Sequence, residues 1–143
     1  MSEKRKVYNI IFVIGLPGSG KTTYANNFAK TNPNTIVLDD LSLNPKLIES
    51  VDPEIHKNIV ITDPNLCNVT QAAMRESCHK FWPDATGFIY RFIYFENNLD
   101  ACLKNRQNDP RPGGTEVFTR RLSAKYLIPE GFEVLPVWQK EKS

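Results

Sequence analysis

The chain has 143 residues, 41% of them hydrophobic, with a formal net charge of +2. That length fits one domain around one core, and no second domain is expected. The mild charge excludes nucleic-acid binding by field alone, and no apolar run reaches the length of a membrane span.

The basic EKRK near the start imitates a signal peptide, but the apolar run behind it is short and has no small-residue cleavage site. That run, VYNIIFVI from Val7 to Ile14, is the β-branched type expected of a parallel strand covered on both faces. It leads straight into GLPGSGKTT. The pattern G-x-x-x-x-G-K-T is read at Gly15, Gly20, Lys21 and Thr22, which is the phosphate-binding loop signature. Glycines let successive backbone N–H groups turn inward around anionic oxygens, and the helix expected from Lys21 adds unpaired N–H groups and a positive dipole end. Gly15, Pro17, Gly18, Ser19, Gly20, Lys21, Thr22 and Thr23 are therefore the expected ATP-binding residues. Lys21 places charge on the β- and γ-phosphates, and the Thr22 hydroxyl is a ligand for Mg²⁺.

The helix is expected to run to about Lys30 and to end at Asn32-Pro33-Asn34. TIVL, Thr35 to Leu38, reads as a second strand closing on Asp39-Asp40, and PKLIESV as a short helix. NIVIT, Asn58 to Thr62, is a third strand ending at Asp63. Asn68 is the expected cap of a helix from Val69 to Phe81, stopped by Trp82-Pro83-Asp84. GFIYRFIYF, Gly87 to Phe95, is a fourth strand in spite of Arg91, followed by a helix from about Leu99 to Asn108. NDPRPGGT cannot continue that helix and reads as a loop. Glu116 to Tyr126 is helical in composition, and FEVLPVW is the last strand, with Pro136 indicating an edge or an irregularity. Alternating strands and helices give an α/β sandwich with a mainly parallel sheet of about five strands.

In such a sheet ligands bind beyond the carboxyl ends of the strands. Asp63 there is a candidate for holding Mg²⁺, directly or through water, or else a turn residue of TDPN. Either Asp39 or Asp40 could take the proton of an attacking hydroxyl, but only one should face the nucleotide. Arg106 shares a helix face with Leu99, Cys102 and Leu103 and should point inward, while Arg111 sits in the glycine- and proline-rich loop. Arg120 and Arg121 lie on the next helix. Cys67, Cys78 and Cys102 form no C-x-x-C pair and read as reduced, buried thiols in a cytoplasm. His56 and His79 lack metal-ligand spacing. Trp82 and Trp138 read as core or edge packing, because neither adjoins a strand-end motif.

The stretches GLPGSGKTT, TIVLDDL, IVITDPNL and LKNRQNDPRPGGTEVF together resemble the kinase domain of bacteriophage-type polynucleotide 5′-kinase, within the phosphate-loop kinases. The resemblance covers nearly the whole chain, and the family's D-x-N-L motif stands as Asp63-Pro64-Asn65-Leu66. It implies a three-layer phosphate-loop kinase fold over residues 1–143 with a small arginine-bearing lid at about 104–118. It also implies ATP and Mg²⁺ as cofactors, and transfer of the γ-phosphoryl to a polynucleotide 5′-OH. By the same resemblance Asp39 is the general base, Lys21 and Thr22 contact phosphate and metal, Arg111 stabilises the transferring phosphoryl, and Arg106 is its companion. Where the family has an arginine three positions after the base, Ser42 stands here. A nucleoside, a nucleotide, a modified base in DNA or another small molecule thus remains an alternative acceptor, and an ATP-binding switch is a reading of another class. The length leads us to expect no attached phosphatase domain, and the setting implied is cytoplasmic, a host cytoplasm if the gene is a phage's.

Overall fold

The computed structural model describes residues 5–107 and 115–139. Five strands, β1 (Val7–Ile14), β2 (Thr35–Leu38), β3 (Asn58–Thr62), β4 (Gly87–Phe95) and β5 (Glu133–Leu135), form one sheet in the order β2-β3-β1-β4-β5. Every pairing is parallel. The helices are α1 (Lys21–Thr31), α2 (Gln71–Phe81), α3 (Leu99–Gln107) and α4 (Glu116–Ala124), with 3₁₀ turns over Pro45–Ser50 and Pro64–Asn68.

Period-two alternation divides the central strands between two cores. Tyr8, Ile10, Phe12 and Ile14 of β1 and Phe92 and Tyr94 of β4 join Leu38, Met74, Cys78, Trp82, Cys102 and Leu122 on one face. Ile11 and Val13, with Val60, Ile93 and Phe95, meet Ala25, Tyr24 and Phe28 of α1 on the other. Arg91 is tolerated within β4 because it falls on the α1 side at a half-exposed position, where it pairs with Glu133 of β5 at 3.2 Å. Aromatic side chains carry much of the larger core: Tyr8 stacks on Trp82 at 5.1 Å and Phe12 on Phe92 at 5.3 Å.

Three local expectations are corrected. The cap of α2 is Thr70, whose Oγ1 accepts the Ala73 N–H at 3.2 Å, so the helix starts at Gln71 rather than Val69. Asn68 instead closes the preceding 3₁₀ turn and donates from Nδ2 to the Leu122 carbonyl, a tertiary bond invisible to local pattern. α4 ends at Ala124, and β5 is only three residues long because Pro136 cannot donate to a ladder; β5 is an edge strand, as that proline indicated. All three cysteines are free and buried, as expected.

Candidate active site

The phosphate loop begins where two central strands end together. The Tyr126 hydroxyl lies 2.6 Å from the Phe95 carbonyl oxygen and 3.1 Å from that of Ile14, tying β4 to β1 at the loop's first residue. Gly18 and Gly20 take φ of +87° and +103°, backbone that side chains strain to adopt. A methyl group at Gly18 would also stand 2.5 Å from the Cys102 carbonyl oxygen, so α3 rests directly on the loop. Gly20 caps α1 with no side-chain bond, which leaves first-turn N–H groups for a ligand. The Ser19 hydroxyl is fully buried and has no hydrogen-bond partner among the described residues, an orphan that a phosphate oxygen would satisfy. Lys21 is 6% exposed. Burial lowers its pKa, and the nearby Asp40 and Asp39 carboxylates oppose that shift. Pro17 is buried in the loop, whereas Thr23 faces solvent.

At the end of β2 the two aspartates part. The parallel register that sets Leu38 beside Ile61 brings Asp39 to Thr62. Asp39 Oδ1 accepts from Thr22 Oγ1 at 3.0 Å and from Thr62 Oγ1 at 2.5 Å. Asp40 adopts φ +49°, and its N–H donates to Thr62 Oγ1 at 3.3 Å. Of the two acids, Asp39 is therefore the one joined to the phosphate-loop threonine. Asp63, at the end of β3, is 5% exposed. Its Oδ1 accepts the Asn65 N–H at 2.9 Å and its Oδ2 the Ser42 N–H at 2.6 Å, while Asn65 Nδ2 donates to Ser42 Oγ at 3.2 Å. The D-x-N-L segment thus staples the loop after β2 to the loop after β3, and the remaining lone pairs of Asp63 can still take a water.

Helix α3 rests on the loop, and most of the expected lid, residues 108–114, lies outside the described residues. Arg106 is half-buried, and its Cγ lies 2.9 Å from where a Gly18 methyl would be. Asn105 Nδ2 donates to the Gly18 carbonyl at 2.9 Å and to the Trp138 carbonyl at 2.6 Å. The Trp138 N–H in turn donates to the Ser19 carbonyl at 3.1 Å. The expectation that Trp138 is packing remote from the site is therefore corrected: its backbone is pinned to the phosphate loop, and its side chain is 58% exposed beside it. Arg111 lies outside the described residues. Arg120 is spent on Glu116 one turn away at 2.8 Å on an exposed surface, and an open cavity of about 580 Å³ between α3 and α4 is lined by Arg106 and Arg120 but by neither Lys21 nor Asp39.

Among the described residues no group of three or more His, Cys, Asp or Glu side chains could enclose a metal. Mg²⁺ keeps most of its waters and takes one or two protein oxygens plus substrate phosphates. The Thr22 hydroxyl, backed by Asp39, offers such an oxygen. Burial pushes the Cys67 thiol up to about 12 and the Cys102 thiol to about 11, so both are protonated, weakly nucleophilic thiols at neutral pH.

Thr62, Asn105 and Trp138 were missed from sequence. A polar residue closing an apolar strand, an asparagine inside a helix and an aromatic just beyond the last strand were the available signals.

No family's sequence profile matches the chain. It is 30% identical over 113 residues to the uncharacterized protein R277 of Acanthamoeba polyphaga mimivirus, covering 76% of this chain and 79% of that one. A gluconokinase from Sinorhizobium meliloti 1021 superposes with a TM-score of 0.56 at 12% identity, over 96% of this chain and 86% of its own. A chain of the Pnkp1/Rnl/Hen1 RNA repair complex superposes with a TM-score of 0.59 at 16% identity, over 82% of this chain but 43% of its own length. At these identities the likeness is one of fold. No described helix is long and apolar enough to cross a membrane. With its phosphate loop, strand order and kinase neighbours on one scaffold, the chain has the phosphate-loop kinase fold and belongs to the family of the mimivirus protein R277.

Proposed function

We propose that the chain is an ATP-dependent phosphotransferase that moves the γ-phosphoryl to a hydroxyl, with a polynucleotide 5′-OH end as acceptor. The observation that carries this is the Thr22–Asp39–Thr62 cluster, a carboxylate held by the phosphate-loop hydroxyl at the open end of the sheet.

In this reading the loop N–H groups from Gly18 to Thr23 and the orphan Ser19 hydroxyl cradle the phosphates, and Lys21 meets the β- and γ-oxygens. Thr22 would ligate Mg²⁺ and Asp63 would hold one of the metal's waters; the metal would supply charge neutralisation at the transferring group. Asp39 accepts the acceptor's hydroxyl proton as the new O–P bond forms and the bond to the β-phosphate oxygen breaks, with ADP leaving. Arg106 and Arg111 supply cationic donors to the equatorial oxygens. Trp138 offers a ring face for the donor's base beside the loop.

The polynucleotide acceptor is supported by the resemblance of the D-x-N-L segment and by the fold likeness to a chain of an RNA repair complex. A small-molecule acceptor is the second reading, favoured by Ser42 where the resembled family has arginine and by the likeness to a gluconokinase. The test is transfer of labelled γ-phosphate from ATP with Mg²⁺ into 5′-OH DNA, 5′-OH RNA, 3′-nucleotides, nucleosides and gluconate, with Lys21→Ala and Asp39→Asn alongside. Label in the polynucleotide ends that both variants lose is the expected result. Label in a small acceptor alone selects the second reading, and release of free phosphate alone removes both.

A further inference from the structure

Thr62 is fully buried at the last position of β3, where Val60 and Ile61 before it need no hydrogen bond from their side chains. Its hydroxyl and its main chain together hold three consecutive residues of the loop after β2. Thr62 Oγ1 donates to Asp39 Oδ1 at 2.5 Å and accepts the Asp40 N–H at 3.3 Å, and its carbonyl accepts the Leu41 N–H at 3.3 Å. The second hydroxyl on Asp39, that of Thr22, arrives at the same Oδ1. Among the described residues no donor reaches Oδ2.

We propose that Thr62 is a positioning residue for phosphoryl transfer: it anchors Asp39 through Oδ1 and so leaves Oδ2 as the oxygen that receives the acceptor's proton. This rests on the kinase reading given above. The two threonines differ in their duties. Thr22 would share its hydroxyl oxygen with the metal in the kinase reading, so its bond to Asp39 would respond to nucleotide and metal. The Thr62 hydroxyl bonds only the chain itself, at Asp39 and the Asp40 N–H, and sits in a strand flanked by β2 and β1, so it supplies the fixed reference. A carboxylate tied at one oxygen by a buried, β-branched donor has little freedom to rotate about its own bonds. Loss of that tie lets the base drift, and drift of about 1 Å costs on the order of 100-fold in rate.

The experiment compares wild type, Thr62→Val, Thr62→Ser, Asp39→Asn and the Thr62→Val/Asp39→Asn double variant, using the acceptor that the wild type phosphorylates. Thr62→Val keeps the shape and loses the hydroxyl. Its kcat is expected to fall about 10- to 100-fold with the KM for ATP unchanged. Thr62→Ser should restore most of the rate, and the double variant should be no slower than Asp39→Asn alone. Should Thr62→Val fail to fold, Thr62→Cys, similar in size and a weak donor, takes its place with the same expectation. Wild-type kcat in a folded Thr62→Val, or losses that multiply in the double variant, overturn the positioning role while leaving the kinase reading intact. A wild type that phosphorylates no acceptor overturns the kinase reading and this inference with it.

Discussion

The ends of β2 and β3 lie side by side, and each presents a carboxylate, yet the two are held by opposite kinds of donor. Asp39 is held by side-chain hydroxyls from the phosphate loop and from the neighbouring strand, and one of its oxygens is left without a described donor. Asp63 is held by main-chain N–H groups at both oxygens, one from its own turn and one from the loop after β2. A carboxylate that satisfies backbone donors is part of the architecture, since those donors need an acceptor whatever is bound. A carboxylate held by hydroxyls is oriented but not exhausted, and can still serve a ligand. Two acids alike in sequence context are thus separated by what approaches them.

The strongest way to break this contrast is Asp39→Asn. It should lower phosphoryl transfer by about 100- to 10,000-fold while nucleotide binding and the melting temperature stay near wild type; a transfer assay with parallel calorimetry decides. Asp63→Ala should do the reverse. It strands two backbone N–H groups, which costs about 2 kcal/mol of stability by denaturant titration, and lowers transfer by much less than Asp39→Asn does. A Mg²⁺ titration of the same variant sharpens the point, since a raised metal requirement is the mark of the water-mediated role proposed for Asp63.

The β2 end also provides countercharge for Lys21. Burial lowers the pKa of that ammonium from the usual 10.5, so the native state binds fewer protons than the unfolded chain between the lowered value and 10.5. The cost of burying the charge is fully present below that window and is relieved as pH rises through it. The stability of Lys21→Met minus that of wild type should therefore be positive at neutral pH and shrink toward pH 10, which paired melts across pH can follow. Taking the difference cancels the tyrosines and cysteines that both proteins share. The smallest effect is expected from Ser42→Ala, which deletes an exposed side-chain bond to Asn65 and leaves the Ser42 N–H on Asp63. About 0.5 kcal/mol of stability should go, with transfer unchanged.

How much of this was legible follows from how local each feature is. The phosphate loop, the strands and the buried cysteines were readable, because glycine spacing, apolar runs and proline breaks act within a few residues. Asp39 was a candidate because strand ends carry ligand groups in a parallel sheet, while the residues alone left it level with Asp40, and it is the register aligning Leu38 with Ile61 that joins Asp39 to Thr62. Thr62, Asn105 and Trp138 escaped because their bonds join segments far apart in sequence. The cap of α2 escaped for a different reason: Asn68 and Thr70 are both good caps, and the 3₁₀ turn that consumes Asn68 is set by Asp63.

The strand that leads to the phosphate loop is the first in the chain and the middle one in the sheet. Val13 waits for Thr62 on one side and Ile14 for Tyr94 on the other, and Ser19 for Trp138 above. A ribosome therefore delivers the signature GLPGSGKTT before β3 and β4, which flank the strand leading to it, and before Trp138, which pairs with its Ser19. Nascent chains released before Trp138 would carry the complete motif without the complete cradle.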